Sequence, residues 1–427
     1  MPEAAPNFRR RVYCIMGVPI DAHSIESARL ALLDAVNGRR RYVMITPNAN
    51  FIALSHRDPV FRDSLLRSDV SLADGMSLVA IARLAGLPID QRVAGSDLFE
   101  SLCEQPLEAP VSVFLFGESN GVPEIAARRI NEEAKGVVCR GWYEPAYASA
   151  EALSTDEIRS AISESQSDFL VVALGAQKGQ RWIDTNIDQV NTPAVCHLGA
   201  VIKMTAGVVL RAPPVMRSLG LEWLWRIVQE PALWRRYRDD AFTLGRLIAG
   251  RLMPLALFRF VRMLDVRDRA QPQLQRVDDD RTALLRLGGD WVGADTTELR
   301  TELESIAATG MDVELDLADA DDMDSALAGL LLVLRGHCLR VGAGMSVVGA
   351  SRSIRSLLRM MCADYLLQPL VRNRLSSSDS IQPHEPVTTW GDPLAEPVES
   401  GLSGETVLGG VVPRPTRPEV TGVTELP

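Results

Sequence analysis

The stretch Tyr42-Val43-Met44-Ile45-Thr46-Pro47-Asn48-Ala49-Asn50 joins a short apolar run directly to small polar residues. The same arrangement recurs at Val70-Ser71-Leu72-Ala73-Asp74-Gly75, and Arg92-Val93-Ala94-Gly95-Ser96-Asp97 precedes the apolar, helix-like run 98–102. Short apolar runs are typical of buried strands, and the carboxyl ends of parallel strands present ligand-binding residues at one edge of a sheet. The three stretches therefore predict an α/β fold with a site where these strands end.

Around these stretches, apolar runs alternate with amphipathic segments of helical length from residue 12 to about residue 198. This alternation predicts a Rossmann-like, doubly wound α/β domain with a largely parallel sheet. The predicted strands are residues 12–16, 42–45, 70–72, 111–116, 168–174 and 194–198. The predicted helices are residues 24–36, 59–67, 76–85, 121–133 and 180–186.

The length of 427 residues exceeds one ordinary core, so more than one domain is expected. We divide the chain into a flexible N-terminus (1–11), the α/β domain (12–205), a helical Arg- and Trp-rich appendage (206–264), a charged linker (265–281), a small α/β domain (282–370) and a disordered tail (371–427). In the small domain we predict strands at 284–287, 313–317, 339–341 and 347–348, and helices at 297–308, 325–335 and 353–362.

Composition and charge exclude several classes of function. The net charge of -10 argues against a nucleic-acid-binding protein, although residues 211–269 are locally rich in arginine. The 6 cysteines and 5 histidines are scattered without ligand spacing, which predicts reduced thiols in a cytoplasmic protein and no metal site. The start of the chain lacks the apolar core of a signal peptide. The apolar segment 247–264 is interrupted by three arginines and a proline, which favours an interfacial helix over a membrane-spanning one.

Asp74 follows a predicted strand, and Gly75 lets the backbone turn sharply beside it. A partly desolvated carboxylate in this position can act as a general base on a sugar hydroxyl. The alternative is a structural role, with Asp74 as the N-cap of the helix that begins near Met76.

Polar residues from the other two stretches complete the predicted site. Thr46 and Asn48 can orient a hydroxyl-rich substrate through hydrogen bonds, or can serve only the turn. Arg92, together with Ser96 and Asp97 at a helix start, suits a diphosphate, because a guanidinium and helix amides act on the same anion. The alternative for Arg92 is an ion pair with Asp90 or Asp97.

Two glycine-rich turns follow later strands of the domain. Gly117-Glu118-Ser119-Asn120-Gly121 suits a nucleotide phosphate or ribose through Gly117 and Asn120, although it lacks the full dinucleotide fingerprint. Gly175-Ala176-Gln177-Lys178-Gly179-Gln180 offers Gly175, Gln177 and Gln180 to an anion or a base edge, but lacks the Walker pattern. An ATPase is therefore disfavoured, and we predict no resident cofactor.

The appendage combines tryptophans and arginines at helical spacings, in the segments 211–214, 219–226 and 234–238. This combination suits a membrane interface and a lipid-linked diphosphate. The alternative is an amphipathic helix whose tryptophans pack on the main domain and whose arginines are solvated.

In order and spacing, the motifs Thr46-Pro47-Asn48, Ala73-Asp74-Gly75, Arg92 to Asp97, Gly175 to Lys178 and Arg211-Ala212-Pro213 to Glu222-Trp223-Leu224 closely resemble the WecG/TagA/CpsF glycosyltransferase family, over about residues 12–237. The resemblance implies an inverting, metal-independent transfer of an N-acetylmannosamine-type sugar. The donor would be a UDP-sugar and the acceptor an undecaprenyl-diphosphate-linked sugar, at the inner face of the membrane, in exopolysaccharide or cell-wall polymer synthesis. In agreement, no Asp-x-Asp motif precedes the linker.

Carried over residue by residue, the resemblance makes Asp74 the catalytic base, and it makes Thr46 and Asn48 the residues that position the sugars. Arg92 would neutralise the leaving UDP diphosphate. From the appendage, Arg211, Arg217 and Arg226 would bind acceptor or donor phosphates. The family pattern Gly-x-Pro-x-Gln-Glu is altered at Gly179 and Gln180, and a usual Phe-Asp-Phe is Ile202-Lys203-Met204 here, which leaves the donor sugar open.

The small domain resembles a STAS domain, on the evidence of Val313-Glu314-Leu315-Asp316-Leu317 followed by Asp322-Met323-Asp324-Ser325-Ala326-Leu327 and a helix. The resemblance implies a protein partner and a phosphoacceptor serine, Ser325, at a helix start. The alternative for Ser325 is an ordinary N-cap.

Two other functions are compatible with these motifs. The chain could be a non-catalytic scaffold that binds a UDP-sugar and signals through the STAS-like domain. It could also be another nucleotide-dependent α/β enzyme, such as a dehydrogenase. Replacing Asp74 distinguishes the scaffold from the transferase, and NAD binding distinguishes the dehydrogenase.

Overall fold

The structure is a computed structural model that describes residues 6–133, 135–146, 148–218, 220–264 and 270–372. These residues form an N-terminal α/β domain, a helical appendage and a C-terminal α/β domain. Residues 1–5 of the predicted flexible N-terminus, residues 265–269 of the predicted linker and residues 373–427 of the predicted tail lie outside the described residues.

The N-terminal domain begins with an antiparallel hairpin of β1 (Val12–Ile15) and β2 (Val18–Asp21). The turn residues Met16 and Gly17 have φ of 48° and 80°, and positive φ at both central positions suits a tight hairpin. The predicted strand 12–16 therefore pairs with a local partner and does not join the parallel sheet.

Six parallel strands form the central sheet of this domain. They are β3 (Tyr42–Ile45), β4 (Val70–Ser71), β5 (Val111–Gly117), β6 (Val137–Tyr143), β7 (Phe169–Ala173) and β8 (Ala194–His197). Their order is β4-β3-β8-β7-β5-β6, and every neighbouring pair is parallel. The sequence did not predict β6, an edge strand in which buried residues alternate with more exposed ones such as Arg140.

Helices cover both faces of this sheet. They are α1 (Ile25–Asn37), α2 (Ala49–Arg57), α3 (Pro59–Leu66), α4 (Met76–Leu84), α5 (Gly95–Glu104), α6 (Val122–Glu133), α7 (Asp156–Glu164), α8 (Ala176–Asn186) and α9 (Val201–Thr205). Helices α1, α5, α6 and α9 pack on one face, and the other five pack on the opposite face. The prediction of a doubly wound α/β domain is confirmed.

The appendage is helical throughout its described residues. It contains α10 (Pro214–Ser218), α11 (Glu222–Gln229), α12 (Leu233–Leu247) and α13 (Met253–Leu264), with a π-helical turn at Ile248–Leu252 between the last two. Arg259 and Arg262 of α13 donate to the buried carboxylate of Asp322 at 2.9 and 3.0 Å. These bonds attach the end of the appendage to the C-terminal domain.

The C-terminal domain has a five-stranded mixed sheet and three helices. Its elements are β9 (Gln273–Asp278), β10 (Thr282–Trp291), α14 (Thr297–Thr309), β11 (Asp312–Leu317), β12 (Ala320–Met323), α15 (Ser325–Val341), β13 (Met345–Ala350) and α16 (Arg352–Met360). Strands β12-β10-β11-β13 are parallel neighbours, and β9 pairs antiparallel with β10.

Two predictions for this region are wrong. The predicted linker 265–281 contains β9, which pairs with β10 through a tight connection, so the sheet starts at Gln273. The predicted strand 339–341 is the last turn of α15, which continues until Gly342 adopts a left-handed conformation with φ of 69°. Leu339 and Val341 flank Arg340 in an apolar–polar–apolar alternation that is also typical of a strand, so the local pattern does not mark these residues as helical.

Helix α15 lies between the C-terminal sheet and the N-terminal domain, and 11 of its 17 residues are buried, including every residue from Leu327 to Gly336. Its glycines mark the points of closest approach. A Cβ atom on Gly329 would lie 3.0 Å from the carbonyl oxygen of Val12, and one on Gly336 would overlap the carbonyl oxygen of Leu66. A larger side chain at Gly336 would force the domains apart. We call the contact of α15 with β1, β2 and α3 the α15 junction.

Polar groups also connect the two domains near the α15 junction. The Ser325 hydroxyl donates to the carbonyl oxygen of Cys14 at 2.8 Å, and the Tyr365 hydroxyl donates to that of Gly17 at 2.6 Å. The prediction of a flexible segment 1–11 is not met at Phe8, because this side chain is fully buried in the core of the C-terminal domain. The N-terminal segment is thus part of the junction.

Candidate active site

The three polar stretches meet at the carboxyl ends of β3 and β4. The backbone N–H of Asp74 donates to the carbonyl oxygen of Pro47 at 2.8 Å. The N–H of Val93 donates to the carbonyl oxygen of Ala73, also at 2.8 Å. Two backbone hydrogen bonds therefore place residues from all three stretches side by side, as the sequence predicts for the edge of a parallel sheet.

Asp74 does not cap the helix that follows it. Helix α4 has Gly75 as its N-cap, with φ of 115° and no side-chain cap bond, so the alternative of a structural N-cap is wrong. The pKa of the Asp74 carboxyl is raised to about 7, mainly by burial. Glu222 contributes in the same direction, while Arg92 and Arg226 oppose the shift. A carboxylate with a pKa near neutrality is suited to accept a proton from a substrate.

Thr46 and Asn48 lie beside this carboxylate on the loop after β3. Thr46 is buried against the start of α5, where a Cβ atom on Gly95 would lie 3.3 Å from its methyl group and would overlap Leu198. The Oδ1 atom of Asn48 accepts from the N–H groups of Asn50 and Phe51 and caps α2. Because the cap uses Oδ1, Asn48 has its Nδ2 group to donate to a ligand.

Arg92 pairs with two carboxylates, Asp97 from α5 and Glu222 from α11. The alternative of an ion pair with Asp97 is thus confirmed, but the Arg92 side chain is only 12% exposed. Asp97 also pairs with Arg211 and lies 3.7 Å from Arg217. Asp97, predicted to bind substrate, is therefore the residue that holds three guanidinium groups together.

We call Arg92, Arg211, Arg217 and Arg226 the arginine cluster, and some of its N–H donors are unused within the described residues. The buried Nε atoms of Arg211, Arg217 and Arg226 have no hydrogen-bond acceptor among the described residues. Burial and the nearby Arg217 lower the pKa of Arg211. Several neighbouring guanidinium groups with unused N–H donors form a suitable binding site for a diphosphate.

A second ionic contact ties the appendage to the N-terminal domain. Lys203 of α9 lies 3.4 Å from Glu118, in the glycine-rich turn after β5, and 3.5 Å from Glu230, just after α11. The predicted residues Gly117 and Asn120 belong to the same turn, with φ of 124° and 61°. We call the Arg92–Glu222, Arg211–Asp97 and Lys203–Glu230 pairs the ionic junction.

Two predicted residues face away from this cluster. Gln180 is 1% exposed and its Nε2 donates to the carbonyl oxygen of Ser64 in α3, while Gln177 donates to Asp58 at 2.6 Å. Gly175 starts α8 with φ of 83° at the carboxyl end of β7. The structure therefore does not bring the side chains of Gln177 and Gln180 to Asp74, because the direction of α8 turns them toward α3.

The sequence missed Glu222, Lys203 and Glu118 as site residues. Glu222 lies 130 positions from Arg92, and no local pattern marks their contact. Ser96, predicted to bind substrate, lies on the first turn of α5 and lines the same cavity as Arg211.

Ser325 lies at the α15 junction, far along the chain from this site. The N-cap of α15 is Asp324, whose side chain accepts from the N–H of Leu327 at 2.9 Å, so the N-cap alternative for Ser325 is wrong. The Ser325 hydroxyl instead contacts the N-terminal domain.

No three His, Cys, Asp or Glu side chains converge in a metal-binding arrangement within the described parts of the chain. In the same residues, no helix combines the length and apolar character needed to cross a membrane.

A half-buried carboxylate with a raised pKa beside an arginine cluster, at the carboxyl edge of a doubly wound sheet, is typical of α/β enzymes that act on phosphorylated ligands. The chain belongs to the glycosyl transferase WecG/TagA/CpsF family, whose model matches residues 13–255, and it is a glycosyltransferase. Residues 274–369 match the model of the Mlab STAS domain. Both resemblances stated from the sequence are confirmed.

Two relatives carry the name N-acetylglucosaminyldiphosphoundecaprenol N-acetyl-beta-D-mannosaminyltransferase. The protein from Bacillus spizizenii is 29% identical over 194 residues, which cover 45% of this chain and 73% of the relative. The protein from Bacillus subtilis is 27% identical over 217 residues, which cover 51% of this chain and 78% of the relative. In both comparisons the similarity covers about half of this chain.

Proposed function

We propose that this chain transfers an N-acetylmannosamine-type sugar from a UDP donor to an undecaprenyl-diphosphate-linked sugar, with inversion and without a metal ion, in exopolysaccharide or cell-wall polymer synthesis. The observation that carries the proposal is the Asp74 carboxyl, with its pKa raised to about 7, beside the arginine cluster. The names of the two relatives support the sugar and the lipid-linked acceptor.

The proposed chemical step uses Asp74 as the base. Its carboxylate accepts the proton of an acceptor hydroxyl while that oxygen forms a bond to the anomeric carbon of the donor sugar. The bond between this carbon and the UDP oxygen breaks, and UDP leaves with the electron pair. Attack from the face opposite UDP inverts the configuration. Thr46 and Asn48 flank Pro47, whose carbonyl oxygen accepts from the N–H of Asp74, and from there they would orient the reacting sugars.

The arginine cluster would stabilise the negative charge that develops on UDP. Arg92 is held by Asp97 and Glu222, and Arg211 and Arg217 surround the same Asp97 carboxylate. Preorganised cations of this kind stabilise a leaving diphosphate more strongly in a buried site than in water. In this proposal the substrate diphosphate replaces the Glu222 carboxylate on Arg92, since both are anions that accept from a guanidinium group.

We place the protein at the inner face of the membrane, in the cytoplasm, through the appendage. Large apolar side chains of α11 to α13 are exposed, among them Trp223, Trp234, Phe242, Leu257 and Phe260. Together with the surrounding arginines they suit the headgroup region of an anionic bilayer. The double substitution Leu257→Glu and Phe260→Glu should reduce pelleting with anionic liposomes several-fold. The matched variant Val348→Glu, on the exposed face of β13, should pellet like the wild type; equal pelleting of all three proteins would refute the membrane role.

We further propose that the first binding partner of the STAS domain is the N-terminal domain of the same chain. Its Ser325 end contacts Cys14, so an outside protein partner on this face would have to compete with the N-terminal domain. Phosphorylation of Ser325 would place charge in that contact and weaken it.

The test of the transfer reaction uses the full chain with radiolabelled UDP-N-acetylmannosamine and undecaprenyl-diphosphate-N-acetylglucosamine, with and without EDTA. We expect labelled lipid in both conditions, with the anomeric configuration opposite to that of the donor. If only other UDP-sugars react, the donor assignment is wrong. If no UDP-sugar of a panel reacts while UDP still binds, the scaffold function is favoured.

A further inference from the structure

A cavity of about 320 Å³ lies between α5, α6 and α9, on the face of the sheet that carries these helices. Its floor is apolar: Phe99, Ile130, Val137 and Val201 are buried there, and Met204 completes the wall. The volume is at the lower end of the range for ligand-binding pockets, so it suits a small ligand or one part of a larger ligand.

One end of this cavity reaches the arginine cluster. Ser96 and Arg211 line it, and Arg211 pairs with Asp97, which also holds Arg92. The other end reaches Cys103 in the last turn of α5. Because seven residues of α-helix separate Ser96 from Cys103, the cavity extends about 10 Å away from the cluster.

Charged groups border the cavity without covering its floor. Arg129, Glu133 and Lys135 stand on the α6 side and are exposed, and Arg129 also donates to the carbonyl oxygen of Thr205 at 3.4 Å. On the α5 side, Glu100 lines the rim and pairs with Arg211. Next to Arg211 in the chain, Val208 and Leu210 are 55% and 64% exposed. Apolar side chains of the cavity and of the segment that precedes Arg211 thus lie close to the cations that suit a diphosphate.

From this arrangement we infer that the cavity binds the isoprenoid units next to the diphosphate of the lipid acceptor, with Arg211 at the diphosphate. The inference rests on the proposed function, since that function supplies a polyprenyl diphosphate. The polar and charged side chains stand at the rim, so a nucleobase would bind there and leave the hydrocarbon floor uncovered. An isoprenoid chain needs no polar partners and gains from the removal of its surface from water.

The first test compares two acceptors that differ only in the lipid: N-acetylglucosamine diphosphate esters of farnesol and of methanol. We expect the wild type to have a kcat/KM at least tenfold higher for the farnesyl ester, mainly through KM. Met204→Trp, or Cys103→Phe as a second filling variant, should reduce this ratio to near one. Val60→Trp on the exposed surface of α3 should keep the wild-type ratio, and melting temperatures identify a variant that fails to fold. A wild-type ratio in both filling variants would overturn the inference.

A second test does not depend on turnover. A farnesyl diphosphate analogue with a benzophenone at the end of the lipid is cross-linked to the full chain by light, and the labelled peptides are sequenced. Labels on α5 and α9 support the inference, and their loss in Met204→Trp strengthens it. Labels confined to α11–α13 would overturn it. Because cross-linking reports binding alone, labels on α5 and α9 in a protein that transfers no sugar would refute the proposed function and leave the isoprenoid site in place.

Discussion

At the boundary with the appendage, the N-terminal domain is held by ion pairs, such as Arg92 with Glu222 and Lys203 with Glu230. At the boundary with the STAS domain, the same N-terminal domain packs its backbone against two glycines of α15. An ion pair can be exchanged for a substrate anion with little change in shape. A glycine packed against a carbonyl oxygen leaves no room for a larger side chain or for a ligand. The ionic junction is therefore suited to respond to substrate, and the α15 junction is suited to fix two domains.

The two junctions also differ in how deeply their side chains are buried. Carboxylates and guanidinium groups of the ionic junction remain partly exposed, whereas Leu330, Leu331 and Leu334 of α15 are almost completely buried. Loss of a solvent-accessible ion pair such as Lys203–Glu230 costs up to about 1 kcal/mol, and overfilling a packed interface costs about 1–3 kcal/mol. Substitutions in the two regions should thus separate catalysis from stability.

The largest effect is expected for Asp74→Asn. Removal of the general base should lower kcat by roughly 10²- to 10⁴-fold. The variant should nevertheless be at least as stable as the wild type at pH 8, because burial penalises the ionised carboxylate above its raised pKa and asparagine carries no charge. The control Asp90→Asn, at an exposed carboxylate, should keep wild-type activity. Unchanged transfer by Asp74→Asn would remove the base from the site.

Gly336→Leu should have the largest effect on stability. Its side chain would overlap the carbonyl oxygen of Leu66, so we expect the free energy of unfolding to fall by about 1–3 kcal/mol and the two domains to unfold in separate steps. Gly245→Leu, at a helical glycine with open space around its Cβ position, serves as the control and should melt like the wild type. Calorimetry measures both; a single unchanged transition in Gly336→Leu would contradict the α15 junction.

Ser325→Asp should destabilise the α15 junction by about 2 kcal/mol, because a carboxylate would face the Cys14 carbonyl oxygen without a donor. Ser325→Ala should cost less, about 1 kcal/mol. Ser356→Asp, on the exposed face of α16, is the matched control. If urea unfolding gives the same midpoint for all three variants and the wild type, the Ser325 contact does not stabilise the protein.

The smallest effect is expected from a rise in salt concentration, measured on hydrogen exchange. Raising the ionic strength from 0.05 to 0.5 M shortens the range of charge interactions to a few ångströms, so hydrogen exchange in α11 should become faster by a factor of about two to five. Exchange in α15 should change less, since most side chains of the α15 junction are apolar and its ion pair, Arg340 with Asp69, lies at the end of the helix. Equal acceleration in both helices would show that the two junctions do not differ in kind.

Much of the fold could be predicted from local sequence, because apolar runs that end in Asn48 or Asp74 have the signature of parallel strands. The convergence of these strand ends follows from the sheet topology alone. Glu222 could not be predicted, since its contact with Arg92 depends on how a separate helical region folds back. Gln177 and Gln180 were predicted in the site because their motif follows a strand, but the phase of α8 decides where their side chains point, and a glycine-rich turn does not encode that phase.

The length of α15 is predicted too short for a related reason. A helix that is buried on one side has a period of 3.6 residues, whereas α15 is covered on one side by its own sheet and on the other by the N-terminal domain. The uniform leucine pattern was itself the sign of a second packing surface. A leucine-rich helix with well-spaced glycines, such as Gly329 and Gly336, indicates that another backbone lies against it.

The central claim is that Asp74 is the base, with a pKa that burial raises and the charges of the ionic junction adjust. It is tested most directly by the pH dependence of kcat/KM for sugar transfer by the wild type and by Glu222→Gln. Activity should require ionised Asp74, so we predict that wild-type kcat/KM rises with pH to a plateau, with an apparent pKa near 7. In Glu222→Gln the loss of a nearby negative charge should move this rise to lower pH. A profile without an acid limb near pH 7, or one that Glu222→Gln leaves in place, would contradict the account.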